Sequence, residues 1–161
     1  KSLKVSPLCR FEVIGNVVFD VAHNEKGIEE LLKALEKHFP DKKFRFLFSL
    51  SQDKEKRKVL SKIVEKAVFI HPVCTSKRLT PISEICEELK KLSFEKFSSE
   101  KNLSKTIQNA FSLSKSNDEI LVVTGSFFHM HEVKKELGFE LEKDRLDLNE
   151  KGFSNFFANK N

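Results

Sequence analysis

The 161-residue chain has no tryptophan, no tyrosine, one methionine, four prolines and only three cysteines. Cys9, Cys74 and Cys86 are odd in number, far apart and contain no C-x-x-C pair. That argues against a disulfide framework or a cysteine zinc site and for a reducing compartment. No apolar run is long. Residues 120–123 are typical, whereas a membrane-crossing helix needs about 20 consecutive apolar residues. No charged-then-apolar leader opens the chain, so no secretory signal is expected. Two glycine signatures are missing as well. Without G-x-x-x-x-G-K-[ST] the chain has no P-loop of its own, and without G-x-G-x-x-G a self-sufficient dinucleotide site is not expected.

What is present is a soluble, globular composition, 39% hydrophobic and 33% charged. Its length fits a single domain over residues 1–161. The chain opens at Lys1 rather than Met, as a piece of a longer protein would. The net charge of +5 comes from 29 Lys+Arg against 24 Asp+Glu, with the two signs interspersed. The run at 53–58 reads as a solvated helix face. A nucleic-acid partner would require basic residues gathered into a patch interleaved with exposed aromatics. The sixteen phenylalanines instead lie mainly at buried-type spacings, so no nucleic acid is expected.

Short apolar strands alternate with amphipathic helices. Val17-Val18-Phe19 is a strand that runs into the polar stretch 20–24. Ile28, Leu31, Leu32, Leu35 and Phe39 then recur at helical spacing up to Pro40. Phe44, Phe46, Phe48 and Leu50 alternate as a strand, with Leu47 on the other face. Asp53 is the expected N-cap of a helix carrying Val59, Leu60, Ile63, Val64 and Ala67. Val68-Phe69-Ile70 is the next strand, closed by Pro72. Thr80-Pro81 reads as an N-cap with proline at the first helical position, ahead of the stripe Ile82, Ile85, Cys86 and Leu89. A weaker strand is expected at 94–97, a helix through Leu103, Ile107, Ala110 and Phe111, and a buried strand at 120–123. Thr124-Gly125-Ser126 leads into a last helix that Gly138 stops.

Helices between strands demand right-handed crossovers and hence parallel pairing. Gly15-Asn16 between 11–14 and Val17 signals a hairpin, so one edge strand runs antiparallel. The predicted fold is α/β, a Rossmann-like three-layer sandwich with a mostly parallel sheet and an antiparallel edge. Residues 139–161 form a C-terminal extension in which Phe139 and Leu141 could pair as a final strand.

In such a sheet, ligands bind at the carboxyl ends of the strands. Asp20, His23 and Asn24 lie at one such end, and they supply an acceptor, a titratable ring and a helix cap within five residues. Asp20 and Asn24 could equally be capping a turn. Gly125 permits close backbone approach, and Ser126 could cap the next helix or hold an anion. Arg10, flanking the first strand, could grip a phosphate or carboxylate in bidentate fashion, or simply lie on the surface. His129 and His131 are two apart on a helix and point in different directions, so they are no metal pair. His38 and His71 occupy ordinary element ends.

Together, Arg10-Phe11-Glu12, Asp20-Val21-Ala22-His23-Asn24, Asp53-Lys54, Arg78 and Val122-Val123-Thr124-Gly125-Ser126-Phe127 closely resemble, in order, the C-terminal domain of folylpolyglutamate synthase/dihydrofolate synthase. That enzyme belongs to the Mur ligase superfamily. The resemblance implies a cytoplasmic ATP- and Mg²⁺-dependent ligase, expected to be monomeric. It phosphorylates a folate or pteroate carboxylate, and the amine of glutamate then attacks the acyl phosphate. It implies that Arg10 and Asp20 contact the nucleotide, that His23 is the catalytic group holding the incoming glutamate, and that Ser126 shares that cleft, with Asn24 in support. No residue of this chain is implied as a metal ligand. ATP and Mg²⁺ would be bound mainly by an N-terminal P-loop ATPase domain absent from this chain, so this piece alone is expected to be inactive. Three local departures stand out: Leu8-Cys9 where the family commonly has Pro-Gly, Glu25 where it has Pro, and Ser49 where a Gly usually opens the turn. The alternatives are another Mur-type amino-acid ligase of peptidoglycan synthesis, or a non-catalytic α/β binding module. The peptidoglycan enzymes usually carry Asp-Tyr-Ala-His and a glycine-rich loop after the following strand, and this chain has neither.

Overall fold

The computed structural model describes residues 9–139, with Phe128 described by its backbone only. The elements run β1 (Glu12–Ile14), β2 (Val17–Asp20), α1 (Glu25–His38), β3 (Phe44–Phe48), α2 (Lys56–Ile63), β4 (Ala67–Pro72), α3 (Ile82–Lys91), α4 (Leu103–Ser116), β5 (Ile120–Thr124), a 3₁₀ turn (Phe127–His129) and α5 (Met130–Glu136). The sheet order is β1-β2-β5-β3-β4. Gly15, at φ +61, closes the antiparallel β1–β2 hairpin, and every other pair is parallel. This is the three-layer α/β sandwich with one antiparallel edge that the sequence pattern predicts.

Strand alternation sorts the core into two layers. Phe44, Phe46, Phe48, Val18, Ile70 and Val122 face one side, under Leu31 and Leu35 of α1, Val59 and Leu60 of α2, and Ile85 and Leu89 of α3. Leu47, Val17, Phe19, Leu121 and Val123 face the other, under Ile107 and Ala110 of α4 and Met130 and Val133 of α5. Full burial of each large apolar side chain stabilises the fold by about 1.5–3 kcal/mol. The odd positions of β3 and β4 also carry polar groups. Arg45 donates to Glu119 at 2.6 Å and to Nε2 of His71 at 3.0 Å, with all three buried. Burial and the neighbouring guanidinium lower the pKa of His71 to about 4. Arg45 and Glu119 lie near the starts of β3 and β5, and His71 is the next-to-last residue of β4.

Several boundaries move. α2 begins at Lys56 with Glu55 in the cap position and no side-chain cap, so Asp53 is not its N-cap. That helix ends at Ile63, and Ala67 already belongs to β4. Pro81, not Thr80, occupies the cap position of α3. The Thr80 amide donates to the Leu50 carbonyl at 2.7 Å, which holds Thr80 in the loop beside β3. The expected strand at 94–97 reduces to one bridge between Phe97 and Ile70. Gly138, at φ +79, ends α5 as expected. Phe139 packs edge-on against Phe19 and Phe111. Leu141 and the rest of the C-terminal extension lie outside the described residues.

Candidate active site

The carboxyl ends of β2, β5, β3 and β4 bring together the loops at 20–24, 125–127, 49–55 and 73–81. The β2 end is the most elaborate. Asp20 is half-buried, and each of its oxygens accepts a backbone amide at 2.9 Å: Oδ2 from Phe11 and Oδ1 from Ala22. Burial raises its pKa, opposed by these two hydrogen bonds and by the Arg10 charge. The Phe11 bond, with Val21 N–H donating to the Cys9 carbonyl at 2.9 Å, folds the turn at 9–11 over the end of β2. Cys9 and Phe11 take φ +59 and +47 in that turn, a region that favours glycine. Cys9 therefore adopts a glycine-like conformation at the position where the resembled family carries Gly. Arg10, between them, is exposed.

Asn24 caps α1, its Oδ1 accepting from the Gly27 amide at 2.7 Å. The capping reading of Asn24 is therefore realised. Glu25 opens the helix at the N1 position, where proline is also tolerated. His23 is exposed, with Nδ1 at 2.9 Å from the Val21 carbonyl. A carbonyl only accepts, so Nδ1 carries the hydrogen, and in the neutral ring Nε2 is left as an acceptor. His23 is shared by three adjoining clefts. One, of about 360 Å³, includes Arg10, Asp20, Asn24 and Glu30. A second, of about 410 Å³, includes Asn24, Asp53, Lys54 and Lys58. The third, of about 260 Å³, includes Val21, Ser51, Lys54, Ser126 and Phe127. Arg78 lies farther along the same edge, with Ser51, Gln52, Asp53 and Lys77.

The floor of the third cleft is locked by backbone geometry. Gly125, at φ +114, lies against Ser49, and a Cβ there would sit 1.6 Å from the Ser49 carbonyl oxygen. Below it, Ser49 Oγ is hydrogen-bonded to Nδ1 of His129, whose ring is fully buried. Burial lowers the His129 pKa to about 3, so the ring is neutral at physiological pH. Thr124 Oγ1 donates to the Ala22 carbonyl at 3.2 Å, which binds the β5 end to the β2 end. Ser126 is buried at the head of this turn.

The structure thus gathers Arg10, Asp20, His23, Asn24 and Ser126 along the carboxyl-end edge of the sheet, beyond β2 and β5. Sequence reasoning notes Ser49 only as a departure at its turn and gives neither it nor His129 a role, yet the two brace that edge from beneath. In the sequence His129 stands out only beside His131, and its partner in the structure is 80 residues away. Among the described residues, no group of three or more His, Cys, Asp or Glu could hold a metal ion. The site is suited to binding anions and orienting polar groups.

Comparisons with known proteins agree with this architecture. The family model described as Mur ligase, glutamate ligase domain matches residues 9–127. The dihydrofolate synthase/folylpolyglutamate synthase of Bacillus subtilis is 24% identical over 122 residues, covering 75% of this chain and 27% of its own length. The chain therefore spans about a quarter of that relative. A Mycobacterium tuberculosis folylpolyglutamate synthase, complexed with ADP and AMPPCP, superposes with a TM-score of 0.69 at 21% identity, over 76% of this chain and 30% of the other. The bifunctional Yersinia pestis enzyme, complexed with AMPPNP and a manganese ion, gives 0.66 at 20% identity, over 84% and 32%. These likenesses extend the agreement to the whole α/β fold.

Proposed function

Because this chain belongs to the Mur ligase family as a glutamate ligase domain, we propose that it is the C-terminal part of an ATP-dependent ligase of folate metabolism. That enzyme would join glutamate to dihydropteroate or a folate. Its working partner would be an N-terminal P-loop ATPase domain of the same protein, in a cytoplasmic monomer. ATP supplies the phosphoryl group that activates the acceptor carboxylate, and Mg²⁺ would be held chiefly by the partner domain. The observation that carries the reading is the convergence of Arg10, Asp20, His23 and Ser126 on one edge at the strands' carboxyl ends.

Each residue then has a defined task. Arg10, raised on a clamped turn, presents a guanidinium fork suited to phosphate oxygens. The Asp20 carboxylate, besides fixing that turn, has lone pairs left on the cleft side that can accept from ribose hydroxyls. His23, with its tautomer fixed through the Val21 carbonyl, orients the glutamate and its attacking amine. Ser126 adds a hydroxyl to the same cleft. The chemistry needs this ordering because a misplacement of about 1 Å can cost about a hundredfold in rate.

The test is steady-state kinetics of the full-length ligase. Arg10→Ala should raise the KM for ATP by about ten- to a hundredfold, the loss of a charged hydrogen bond worth about 1.5–3 kcal/mol. Asp20→Ala should act in the same direction. Wild-type ATP dependence in both variants would remove the nucleotide role of this edge. Purified residues 1–161 alone should show no glutamate-dependent ATP hydrolysis.

A further inference from the structure

Lys134 of α5 is almost wholly buried, with its Nζ 2.7 Å from Oε1 of Glu12 and 5.1 Å from the centre of the Phe19 ring. A buried ion pair is weak evidence for stability, since apolar groups of the same volume often serve as well or better. This pair has a second attachment. The same Glu12 oxygen accepts the Cys9 amide at 3.0 Å, and Cys9 is the residue before Arg10. On the far side of Arg10, the Phe11 amide is held by Asp20. The two residues flanking Arg10 both have positive φ, a conformation that L residues leave unless it is held. Lys134 belongs to the helix that follows the Ser126 turn through the 3₁₀ residues Phe127–His129.

We infer that the part-buried Glu12–Lys134 pair is a positioning strut that fixes the Arg10 turn relative to the Ser126 turn. Glu12 and Lys134 are positioning residues and act through Arg10. The inference rests on the reading of Arg10 as a nucleotide contact. It adds that the nucleotide side and the glutamate side of the adjoining clefts are held in register by one ion pair beneath them. With the pair intact, the guanidinium is presented in a single direction. Without it, Cys9 loses the acceptor for its amide, the turn relaxes from its positive-φ conformation, and Arg10 samples directions that miss the phosphate.

The experiment compares, in the full-length ligase, Glu12→Leu/Lys134→Leu, Glu12→Gln, Arg10→Ala and the triple combination. Melting temperature is measured alongside KM for ATP. The leucine pair is expected to melt close to wild type yet raise the ATP KM by about tenfold. Glu12→Gln keeps an oxygen for both Cys9 N–H and Lys134 and should stay within about twofold of wild type. Adding Arg10→Ala to the leucine pair should cost no more than about twofold further, because both changes remove the same contact. If the leucine pair does not fold, Glu12→Gln/Lys134→Met takes its place. It keeps the Cys9 acceptor but severs the link to α5, and it should raise the KM where Glu12→Gln alone does not. A wild-type ATP KM in the severed variants, with Arg10→Ala impaired, overturns the strut and leaves the nucleotide reading standing. So does full additivity with Arg10→Ala. An unaffected Arg10→Ala overturns the nucleotide reading itself, and the strut with it.

Discussion

Acid should unfold this domain mainly through two imidazoles. Burial lowers the pKa of His129 to about 3 and that of His71 to about 4, against about 6.5 in an unfolded chain. Both folded values lie below the unfolded one, so the unfolded chain binds more protons between them. Their contribution to stability is complete above pH 6.5 and is lost as the pH falls toward the folded values. At pH 4 the linkage gives a loss of about 3 kcal/mol for each ring. Together that is a large share of the roughly 5–15 kcal/mol that holds a typical domain. His129→Asn isolates one of the two, since its amide can meet Ser49 Oγ where Nδ1 does and cannot ionise in this range. Asp20 acts with the opposite sign: its raised pKa favours the folded state as the pH falls. Both chains share that effect, so it cancels in their difference. Urea unfolding of residues 1–161, followed by circular dichroism from pH 7 to pH 4, measures the outcome. His129→Asn should lose about 3 kcal/mol less than wild type over that span. Equal losses in the two chains would refute the buried, neutral imidazole.

Gly125→Ala should be destabilised by several kcal/mol, because the new Cβ meets the Ser49 carbonyl and φ +114 is strained for alanine; thermal melts read this directly. Asn24→Ala removes the α1 cap and should cost about 1 kcal/mol in denaturant unfolding. His23→Ala should raise the glutamate KM and lower the turnover number of the full-length ligase by up to about a hundredfold, with little change in ATP binding. Glutamate titrations beside equilibrium nucleotide binding separate the two. A loss of ATP binding with glutamate dependence intact would assign His23 to the other substrate.

The strands and helices were legible because each depends on its own local period. Phe44, Phe46 and Phe48 fall on one face and Leu47 on the other whatever the rest of the chain does. The start of α3 was not legible, since the backbone bond of Thr80 to Leu50, from another loop, overrides the local capping signal. The site divides in the same way. Asp20, His23 and Asn24 could be found because they cluster within five residues at a strand's carboxyl end. Ser49 with His129, and Glu12 with Lys134, are pairs 80 and 122 residues apart. Nothing about a serine, a histidine, a glutamate or a lysine in isolation marks it as one member of such a pair. Arg45 carries no local mark either, because the buried partners that satisfy it, Glu119 and His71, lie 74 and 26 residues away.

Among the described residues, the strand that comes last in the sequence is the one at the centre of the sheet. β5 lies between β2 and β3, which pair with it and not with each other. During synthesis on the ribosome, at about 5–20 residues per second, the stretch between β4 and β5 takes roughly 2–9 s to emerge. Throughout that interval the inner edges of β2 and β3 stand open, and the β3 edge carries three phenylalanines on one face. Open apolar edges invite pairing with other chains, so the nascent domain is most vulnerable to aggregation in that window, and chaperone occupancy should peak there. Insertion of β5 closes both edges in one step. The same step brings Gly125 against Ser49 and Thr124 against Ala22, so the cleft lined by Ser51 and Ser126 forms only when the sheet closes.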